Sequence, residues 1–218
     1  MTGFSWDWSF AFSILPTLLS GLRYTLEATV LGCALAFALG LFWSMIRLAR
    51  IPVASPVVGI VVEFLRGTPL LIQLYFIFYV LPSYGVTLDA LLTGVLGLGL
   101  YYSAYASEVY RAGIEAVPLG QWEASLVLAL PLSRMWFRVV LPQALRFAVP
   151  VLGNFVISMF KESAILSTIT VMELIAQANS IGSQTARFIE PYTMAGLIFL
   201  VISYPAARMV RVLEVRLR

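Results

Sequence analysis

Long apolar runs separated by shorter polar segments dominate the pattern of positions along this chain. Three predominantly apolar runs cover residues 24–46, 88–106 and 192–207, with one acidic residue in each of the first two, Glu27 and Asp89. A bilayer core about 30 Å thick needs roughly 20 apolar residues in a helix that crosses it. The three runs therefore predict three membrane-spanning helices.

Two further apolar regions are interrupted by polar residues. Residues 51–82 would measure about 48 Å as one straight helix, which is too long for a single crossing. The segment Arg66-Gly67-Thr68-Pro69 breaks this run, and a second region starts near Phe147 and reaches Lys161 and Glu162. Counting each region as one crossing, we predict an all-α membrane protein with about five transmembrane helices in a single domain, 1–218.

The first 22 residues combine aromatic and acidic residues, with Trp6, Asp7 and Trp8 close together. They lack the Lys/Arg cluster of a signal peptide. Tryptophan is enriched at membrane–water interfaces. We interpret 1–22 as an interfacial segment that precedes the first crossing.

The composition excludes an ordinary water-soluble globule. Of the 218 residues, 61% are hydrophobic and 11% are charged, against about 45–50% and about 25% in an average soluble domain. With no histidine and one cysteine, Cys33, the chain lacks the usual ligand sets for zinc, haem and iron–sulfur clusters. We therefore expect no metal and no cofactor.

Basic residues distinguish the two sides of the predicted membrane topology. Five crossings place residues 47–56, residues 107–146 and the C-terminus on the same side. These segments contain ten arginines, whereas the opposite side holds two, Arg23 and Arg187. Because cytoplasmic loops carry the excess of Lys and Arg, we predict an external N-terminus and a cytoplasmic 107–146 loop.

Motifs for catalysis are absent from the sequence. No G-x-x-x-x-G-K-[ST], H-E-x-x-H or G-x-S-x-G is present, and the only lysine, Lys161, follows Phe160. The chain therefore has no P-loop for nucleotide phosphates, and we predict no catalytic residue. The arginines are spread over one membrane face as topology requires, so we expect no nucleic-acid binding.

The cytoplasmic loop is predicted to contain two short helices, over 121–130 and 133–141, with Pro131 between them and Pro142 at the end of the second. Trp122, Leu126 and Ala129 would share one face of the first helix. An apolar face outside the bilayer needs a cover. A partner protein, the membrane surface and the ends of the chain's own spans would each serve.

Several motifs together resemble one family. G-Q-W-E-A-S at 120–125 and V-V-L-P-Q-A-L-R at 139–146 are similar to the E-A-A loop of bacterial ATP-binding-cassette (ABC) permeases of the polar amino-acid uptake group. The motifs E-F-L-R-G-T-P-L-L-I-Q-L at 63–74, A-S-E-V-Y-R-A-G-I at 106–114 and F-K-E-S-A-I-L-S at 160–167 appear in the family's order.

This resemblance implies a permease subunit of a binding-protein-dependent importer in the bacterial inner membrane. Its partners would be a second homologous permease, different or identical, two cytoplasmic ABC ATPase subunits and an extracytoplasmic solute-binding protein. ATP hydrolysis would take place in the ATPase subunits, and the chain itself would not be an enzyme. The 107–146 loop would couple ATPase closure to alternating access of the transport pathway.

In the family that the chain resembles, the E-A-A loop docks in a cleft of the ATPase. By residue match, the coupling set would be Gly120, Gln121, Glu123, Ala124, Ser125 and Ala129. Glu123 near a helix N-terminus is favoured by the helix dipole and can meet a basic group of the partner. Without the resemblance it is simply a solvated acid at a helix start. The chain departs from the family at Ala129, where glycine is usual, and at Pro131, where serine or threonine is common.

Polar residues inside the apolar regions are candidates for the substrate pathway, because charges at membrane depth usually mark a pathway or a buried partner. The candidates are Glu63, Arg66, Gln73, Lys161 and Glu162. Glu63 and Arg66 are three residues apart, so a pair between them is the favoured interpretation. Lys161 and Glu162 point in different directions, so each needs a separate partner, in this chain or in the second permease.

Within the family, three stretches most resemble the ectoine and hydroxyectoine permeases. They are Y-Y-S-A-Y-A-S-E-V-Y-R-A-G-I at 101–114, L-S-T-I-T-V-M-E-L at 166–174 and E-P-Y-T at 190–193. This resemblance implies a zwitterionic compatible solute, although a polar amino acid would suit the same polar lining. An alternative function is a membrane scaffold that transports nothing and recruits a cytoplasmic partner through the same loop.

Overall fold

The computed structural model of the chain describes residues 6–217, in which helices are connected by short segments and no strand is present. In chain order the α-helices are α1 (Trp8–Ser13), α2 (Leu15–Leu48), α3 (Ala54–Gly67), α4 (Leu70–Tyr75), α5 (Ala90–Glu115), α6 (Leu119–Val127), α7 (Leu132–Arg134), α8 (Leu141–Glu162), α9 (Leu174–Thr185) and α10 (Ile189–Leu217). The predicted all-α class is confirmed for the described residues.

Tighter and wider helical turns extend some of these helices. A π-helical segment, Phe76–Val80, and a 3₁₀ segment, Leu81–Tyr84, continue α4. A second π-helical segment, Met135–Val140, joins α7 to α8, and a 3₁₀ segment, Ser163–Ile169, follows α8.

Within residues 6–217, three helical stretches are long and apolar enough to cross a membrane: Leu15–Leu48, Leu132–Ile169 and Ile189–Leu217. The broken pair Ala54–Gly67 and Leu70–Tyr84 adds a fourth if it forms one span. Helix α5 is not among them, because its tyrosines, serines and glycines lower the hydropathy of the predicted crossing. Five crossings and an external N-terminus therefore stay a prediction.

The predicted interruption before Pro69 is confirmed. Helix α3 ends at Gly67, and Thr68 has an extended backbone with φ −109° and ψ 138°. A proline ring disfavours helical geometry in the preceding residue, so α4 starts afresh at Leu70.

The N-terminal boundary differs from the interfacial segment predicted over 1–22, of which residues 1–5 lie outside the described part of the chain. Helix α1 is six residues long and is capped by Asp7, whose carboxylate accepts a hydrogen bond from the Phe10 N–H at 3.1 Å. Helix α2 already begins at Leu15, so residues 15–22 belong to the first spanning helix. Pro16 is tolerated because the first helical turn needs no N–H from it.

The described chain forms two compact units. The first contains residues 6–32, 70–98 and 157–206, and the second contains residues 33–69, 99–156 and 207–217. Helices α2, α5, α8 and α10 each contribute residues to both units.

The first unit has a core built from α1, α2, α9 and α10. Its buried members are Ala11, Ile14, Leu18, Leu174, Ala178, Met194 and Ala195. Gly21 allows a close approach, since a Cβ there would lie 2.9 Å from the backbone of Glu173. The Leu174 N–H also donates to Thr25 Oγ1 at 3.2 Å. These contacts fix the start of α9 against α2.

An ionic cluster in the same unit holds α1 to the start of α10. Arg187 donates to Asp7 at 3.3 Å and to Glu190, whose side chain is buried. The Arg187 guanidinium also lies 4.3 Å from the centre of the Phe10 ring. One cation thus connects α1 with the first turn of α10.

In the second unit, small residues bring α2 and α5 together. A Cβ on Gly40 would lie 2.7 Å from the Ala106 Cβ and 2.9 Å from the Ser103 carbonyl oxygen. Beside this contact, Trp43 Nε1 donates to Ser103 Oγ at 3.2 Å. The close approach of these helices sets the positions of the charged residues at their ends.

Pro142 does not end the second predicted loop helix, because α7, the π-helical segment and α8 run on without a break. In a regular α-helix the proline ring would clash with the carbonyl four residues earlier. The wider turns of Met135–Val140 precede Pro142 and shift those carbonyls, and the Leu141 N–H reaches Trp136 O instead. The predicted second helix therefore merges with the predicted fourth span.

Candidate coupling surface and membrane-depth polar residues

Helix α6 of the predicted cytoplasmic loop is held to the rest of its unit by tryptophan packing. The rings of Trp122 and Trp136 meet edge to face, with centroids 5.4 Å apart and an interplanar angle of 83°. Both pack on a buried cluster that consists of Val117, Met135, Val140 and Ala144. The inward side of α6 is therefore held in place by packing against the rest of its unit.

The rest of the surface of α6 is strongly exposed. Glu123 and Ala124 are exposed, as are the apolar side chains of Leu126, one turn beyond Trp122, and of Val127 and Leu128 at the end of the helix. Ser125, by contrast, is 3% exposed and donates to the Gln121 carbonyl at 2.7 Å. Of the predicted small pair, only Ala124 faces outward.

Helix α6 is shorter than predicted and ends in a Schellman motif. The Leu130 N–H donates to Ser125 O at 3.1 Å, and the Ala129 N–H donates to Leu126 O at 2.9 Å. This arrangement puts Ala129 in the left-handed region, with φ 49°, where glycine is the usual residue. Trp122, Leu126 and Ala129 therefore do not share one helix face, since the chain has already turned at Ala129.

This turn explains why glycine is usual at the position that Ala129 occupies here, and it gives the departure an energetic cost. An alanine in left-handed geometry costs roughly 1–2 kcal/mol, because its Cβ approaches the following carbonyl oxygen. Glycine, the usual residue of the resembled family, avoids that cost. The turn is nevertheless formed with alanine, and Pro131 follows it with an extended backbone at φ −58° and ψ 144°.

Glu123 is available to a partner. Within residues 6–217 it has no hydrogen bond and no ion pair, and its side chain is exposed near the start of α6. The helix-dipole contribution predicted for Glu123 is weak, because α6 starts at Leu119 and has no acidic residue in its first turn. The geometry therefore leaves one unneutralised acid beside an exposed apolar ridge.

The predicted pair of Glu63 and Arg66 is wrong. The Arg66 guanidinium lies 3.8 Å from Glu108 and 5.4 Å from the centre of the Tyr105 ring. Glu63 is exposed and, among the described residues, has no partner. The three-residue spacing allowed the pair, but Glu108 on α5 attracts Arg66.

Sequence reasoning missed the ionic cluster around Glu108. Its carboxylate accepts a hydrogen bond from Arg47 of α2 and, at 2.6 Å, another from Arg111 of α5. Glu115 binds Arg111 at 2.7 Å. The available signal was A-S-E-V-Y-R-A-G-I, in which Glu108 and Arg111 stand three apart on one helix.

The remaining pathway candidates belong to the first unit. Gln73 is 9% exposed on α4, and α4 packs against the 3₁₀ segment that directly follows Glu162. Lys161 is exposed and Glu162 is half-buried. In the described part of the chain neither charge has a hydrogen-bond or ion-pair partner, so their predicted need for separate partners is not met within residues 6–217.

A second missed residue is Glu173, which is fully buried and lies, in sequence, between the candidate spans Leu132–Ile169 and Ile189–Leu217. It caps α9 and accepts hydrogen bonds from the Ile175 and Ala176 N–H groups at 2.8 and 2.7 Å. Burial raises the pKa of the carboxyl from 4.5 to about 7, although these two hydrogen bonds oppose the shift. The M-E-L signal at 172–174 was present, but nothing in it revealed burial.

A cavity of about 620 Å³ lies beside the base of the coupling loop in the second unit. Its polar lining comes from Gln143, Arg146, Asn154 and Glu214. Arg146 has no hydrogen bond or ion pair within the described residues. The loop is therefore anchored by its tryptophans beside a space that is not filled by side chains.

Comparison with known proteins decides the family. Residues 36–218 match the family described as "Binding-protein-dependent transport system inner membrane component". The chain belongs to this family. The expected class of protein, a permease component of an inner-membrane transport system, is therefore confirmed.

Curated relatives match the permease along nearly its whole length. The probable amino-acid ABC transporter permease protein y4tG of Sinorhizobium fredii is 44% identical, over 99% of this chain and 95% of the relative. The L-cystine transport system permease protein TcyB of Bacillus subtilis is 37% identical, over 94% of this chain and 88% of the relative.

Solved structures agree with the fold of the permease. A crystal structure of an amino acid ABC transporter with histidines matches with a TM-score of 0.91 and 36% identity, over 98% of this chain and all of that chain. The inward-facing MetNI methionine ABC transporter matches with a TM-score of 0.70 over 92% of this chain. At 18% identity, the second likeness shows the fold alone.

Proposed function

We propose that the permease is the membrane subunit of an ABC importer for an amino acid or a related zwitterionic solute, and that α6 couples it to an ATPase. The observation that carries this proposal is the two-sided arrangement of α6. One side is fixed by Trp122 and Trp136, and the other presents Glu123 beside exposed apolar side chains. A helix built in this way transmits a push from a docked partner to the spans behind it.

The partners in this proposal are those that the family description implies. A binding-protein-dependent system requires an extracytoplasmic solute-binding protein, and we propose two ABC ATPase subunits and a second permease, different or identical. The absence of a P-loop in this sequence agrees with ATP hydrolysis in separate subunits. The scaffold alternative is not favoured, because the relatives are named as transporter permeases.

For the coupling contact we propose Gly120, Gln121, Glu123 and Ala124 as the outward set. All four are exposed in the first two turns of α6. Ser125 and Ala129 act from behind: Ser125 is buried, and Ala129 forms the turn that ends the helix. Glu123 supplies the charge, and the apolar ridge of Leu126 and Val127 supplies the area that association buries.

For the substrate pathway we propose Lys161 first, with Glu162 and Gln73 beside it. Lys161 combines an exposed ammonium with an apolar helix, and in such a place a charge usually faces a water-filled path or a partner. An ammonium suits a substrate carboxylate. Glu63 and Arg66 are secondary, since Arg66 is already bound by Glu108.

The coupling role is tested by reversing the charge of Glu123. We expect Glu123→Lys to reduce uptake by the reconstituted complex at least tenfold while ATP hydrolysis becomes independent of the loaded binding protein. Glu123→Gln is the matched control, and its loss should be smaller because it removes a charge without reversing it. Full uptake by Glu123→Lys in a complex of normal composition contradicts the role.

The substrate is tested on the cognate binding protein. The relatives are named for amino acids or L-cystine, whereas the motifs at 101–114 and 166–174 favour ectoine and hydroxyectoine. A thermal-shift survey with ectoine, hydroxyectoine and polar amino acids separates these solutes. A clear shift with an amino acid and none with ectoine rejects the ectoine branch and leaves the amino-acid importer in place.

A further inference from the structure

Helix α3 carries three distinct sectors around its axis. At 100° per residue, one sector is buried against the rest of the second unit, to which α3 belongs, and contains Val58, Val62 and Leu65. A second sector is apolar and more than half exposed, and it contains Val57, Ile60 and Phe64. A third, polar sector contains Gly59, Glu63 and Arg66. A single helix thus has one face for protein, one for hydrocarbon and one for a polar environment.

Both ends of α3 are tied to the same end of the helices that it packs on. At its start, Ser55 Oγ donates to the Ile46 carbonyl at 2.8 Å. Near its end, Arg66 lies 3.8 Å from Glu108, the carboxylate that also accepts from Arg47. Ile46 and Arg47 are adjacent residues near the C-terminus of α2. A helix that crossed the membrane beside α2 would have its two ends at opposite ends of α2.

The buried sector also shows an oblique crossing. Val58 to Leu65 covers about 10 Å of α3 at helical rise. The hydrophobic residues beneath it on α2 are Trp43 and Ile46, which cover only about 5 Å of that helix. Two helices that ran side by side would pack over equal lengths. Helix α3 therefore runs across α2.

We infer that α3 lies in the plane of the cytoplasmic membrane surface and that its partner is the lipid surface itself. The apolar sector enters the acyl region, while the polar sector stays among the headgroups. An amphipathic helix with one apolar and one polar face is typical of this placement, and Arg66 gives the polar face of α3 a basic end. Arg50 at the end of α2 is exposed beside the start of α3, and its charge suits anionic headgroups.

This placement changes which residues make the second predicted crossing. The chain between the cytoplasmic end of α2 and the external start of α5 must cross the membrane once. With α3 in the surface plane, that crossing falls to the residues between Leu70 and the start of α5 at Ala90, whose number suits one span. The polar break at Thr68 and Pro69 is then the point where the chain leaves the surface and enters the bilayer.

Site-directed spin labelling tests the placement, and the chain favours this method because Cys33 is its only cysteine. In a Cys33→Ser background, single labels replace Val57, Ile60 and Phe64 in the apolar sector, and Gly59 and Glu63 in the polar sector. Leu31→Cys and Phe42→Cys on exposed positions of α2, about 16 Å apart along the helix, calibrate depth. Accessibility to oxygen and to a nickel chelate is measured in reconstituted vesicles.

An in-plane helix gives the three apolar-sector labels the same depth, with high oxygen accessibility, and gives the two polar-sector labels several-fold higher nickel accessibility. A steady change in depth of about 10 Å from Val57 to Phe64 overturns the inference, because it shows a crossing helix. Shielding of the apolar-sector labels from both reagents also overturns it, because another subunit then covers α3. Neither result bears on the coupling role of α6.

Discussion

Two carboxylates, one in each unit, are stabilised in different ways. In the second unit, Glu108 is shared by Arg47, Arg111 and, more loosely, Arg66. In the first unit, Glu173 is fully buried and accepts only backbone N–H groups of α9. The Glu108 site surrounds a carboxylate with cations, whereas the described residues at the Glu173 site supply backbone dipoles but no cation.

The difference sets what each residue does when its charge changes. A carboxylate held by several guanidinium groups stays ionised, and its loss leaves like charges facing one another. A carboxylate held by N–H dipoles in a buried place is easier to protonate, as the raised pKa of Glu173 indicates. Glu108 therefore ties helices together, whereas Glu173 makes the start of α9 sensitive to pH.

The largest effect is expected for Glu108→Gln, because Arg47, Arg66 and Arg111 then share no anion. Its side chain is 22% exposed, so we expect a loss of about 1–3 kcal/mol, below the value for a fully buried pair. Denaturant or thermal unfolding of the purified permease measures this loss. Glu115→Gln is the matched control. It removes a 54% exposed carboxylate that binds only Arg111, and it should cost less than about 1 kcal/mol.

If Glu108→Gln costs no more than Glu115→Gln, the shared carboxylate is not what ties the ends of α2, α3 and α5 together. The difference between the Glu108 and Glu173 sites would then have to be sought in burial alone.

Local composition predicted the helical fold and the break at Pro69, because both depend on residues close in the chain. The limits of the helices were less predictable. Continuation through Pro142 depends on the wide turns before it, and the first residues of α2 pack on α9 through Leu18 and Gly21. Neither neighbour leaves a periodic signal at the boundary itself.

In the candidate site, too, features that depend on nearby residues were predictable and features that depend on distant residues were not. The motif at 120–125 falls on α6, the proposed coupling helix, and Glu123 is exposed there, as a contact with a partner would require. The cluster around Glu108 escaped prediction because Arg47 and Glu108 are 61 residues apart. Spacing along one helix suggested Glu63 as the partner of Arg66, and only the packing of α3 on α5 identifies Glu108.

A smaller, pH-dependent effect is expected at Glu173. Its folded pKa is about 7 and its ordinary value is 4.5, so between these values the folded state binds the proton more tightly than the unfolded state. Stability therefore falls as pH rises from about 4.5 to 7 and then levels off. Thermal midpoints at pH 5 and pH 8 measure the slope, and Glu173→Gln should flatten it.

The matched control for this slope is Glu123→Gln, which removes an exposed carboxylate without a partner in residues 6–217 and should leave the slope unchanged. A permease that loses the same stability between pH 5 and pH 8 with and without Glu173 would show that the N–H groups of α9 are enough to keep this carboxylate ionised.

The smallest effect is expected for Arg66→Gln, and it separates the tight members of the Glu108 cluster from the loose one. Arg66 is 41% exposed and stands 3.8 Å from the carboxylate, whereas Arg47 and Arg111 donate direct hydrogen bonds to it. An exposed ion pair contributes about 0–1 kcal/mol, so Arg66→Gln should stay within that range in unfolding experiments while Arg47→Gln exceeds it. Equal losses would mean that Arg66 is a full member of the cluster. The end of α3 would then be fixed by charge as firmly as α2 is, and the comparison with Glu173 would rest on three strong cations instead of two.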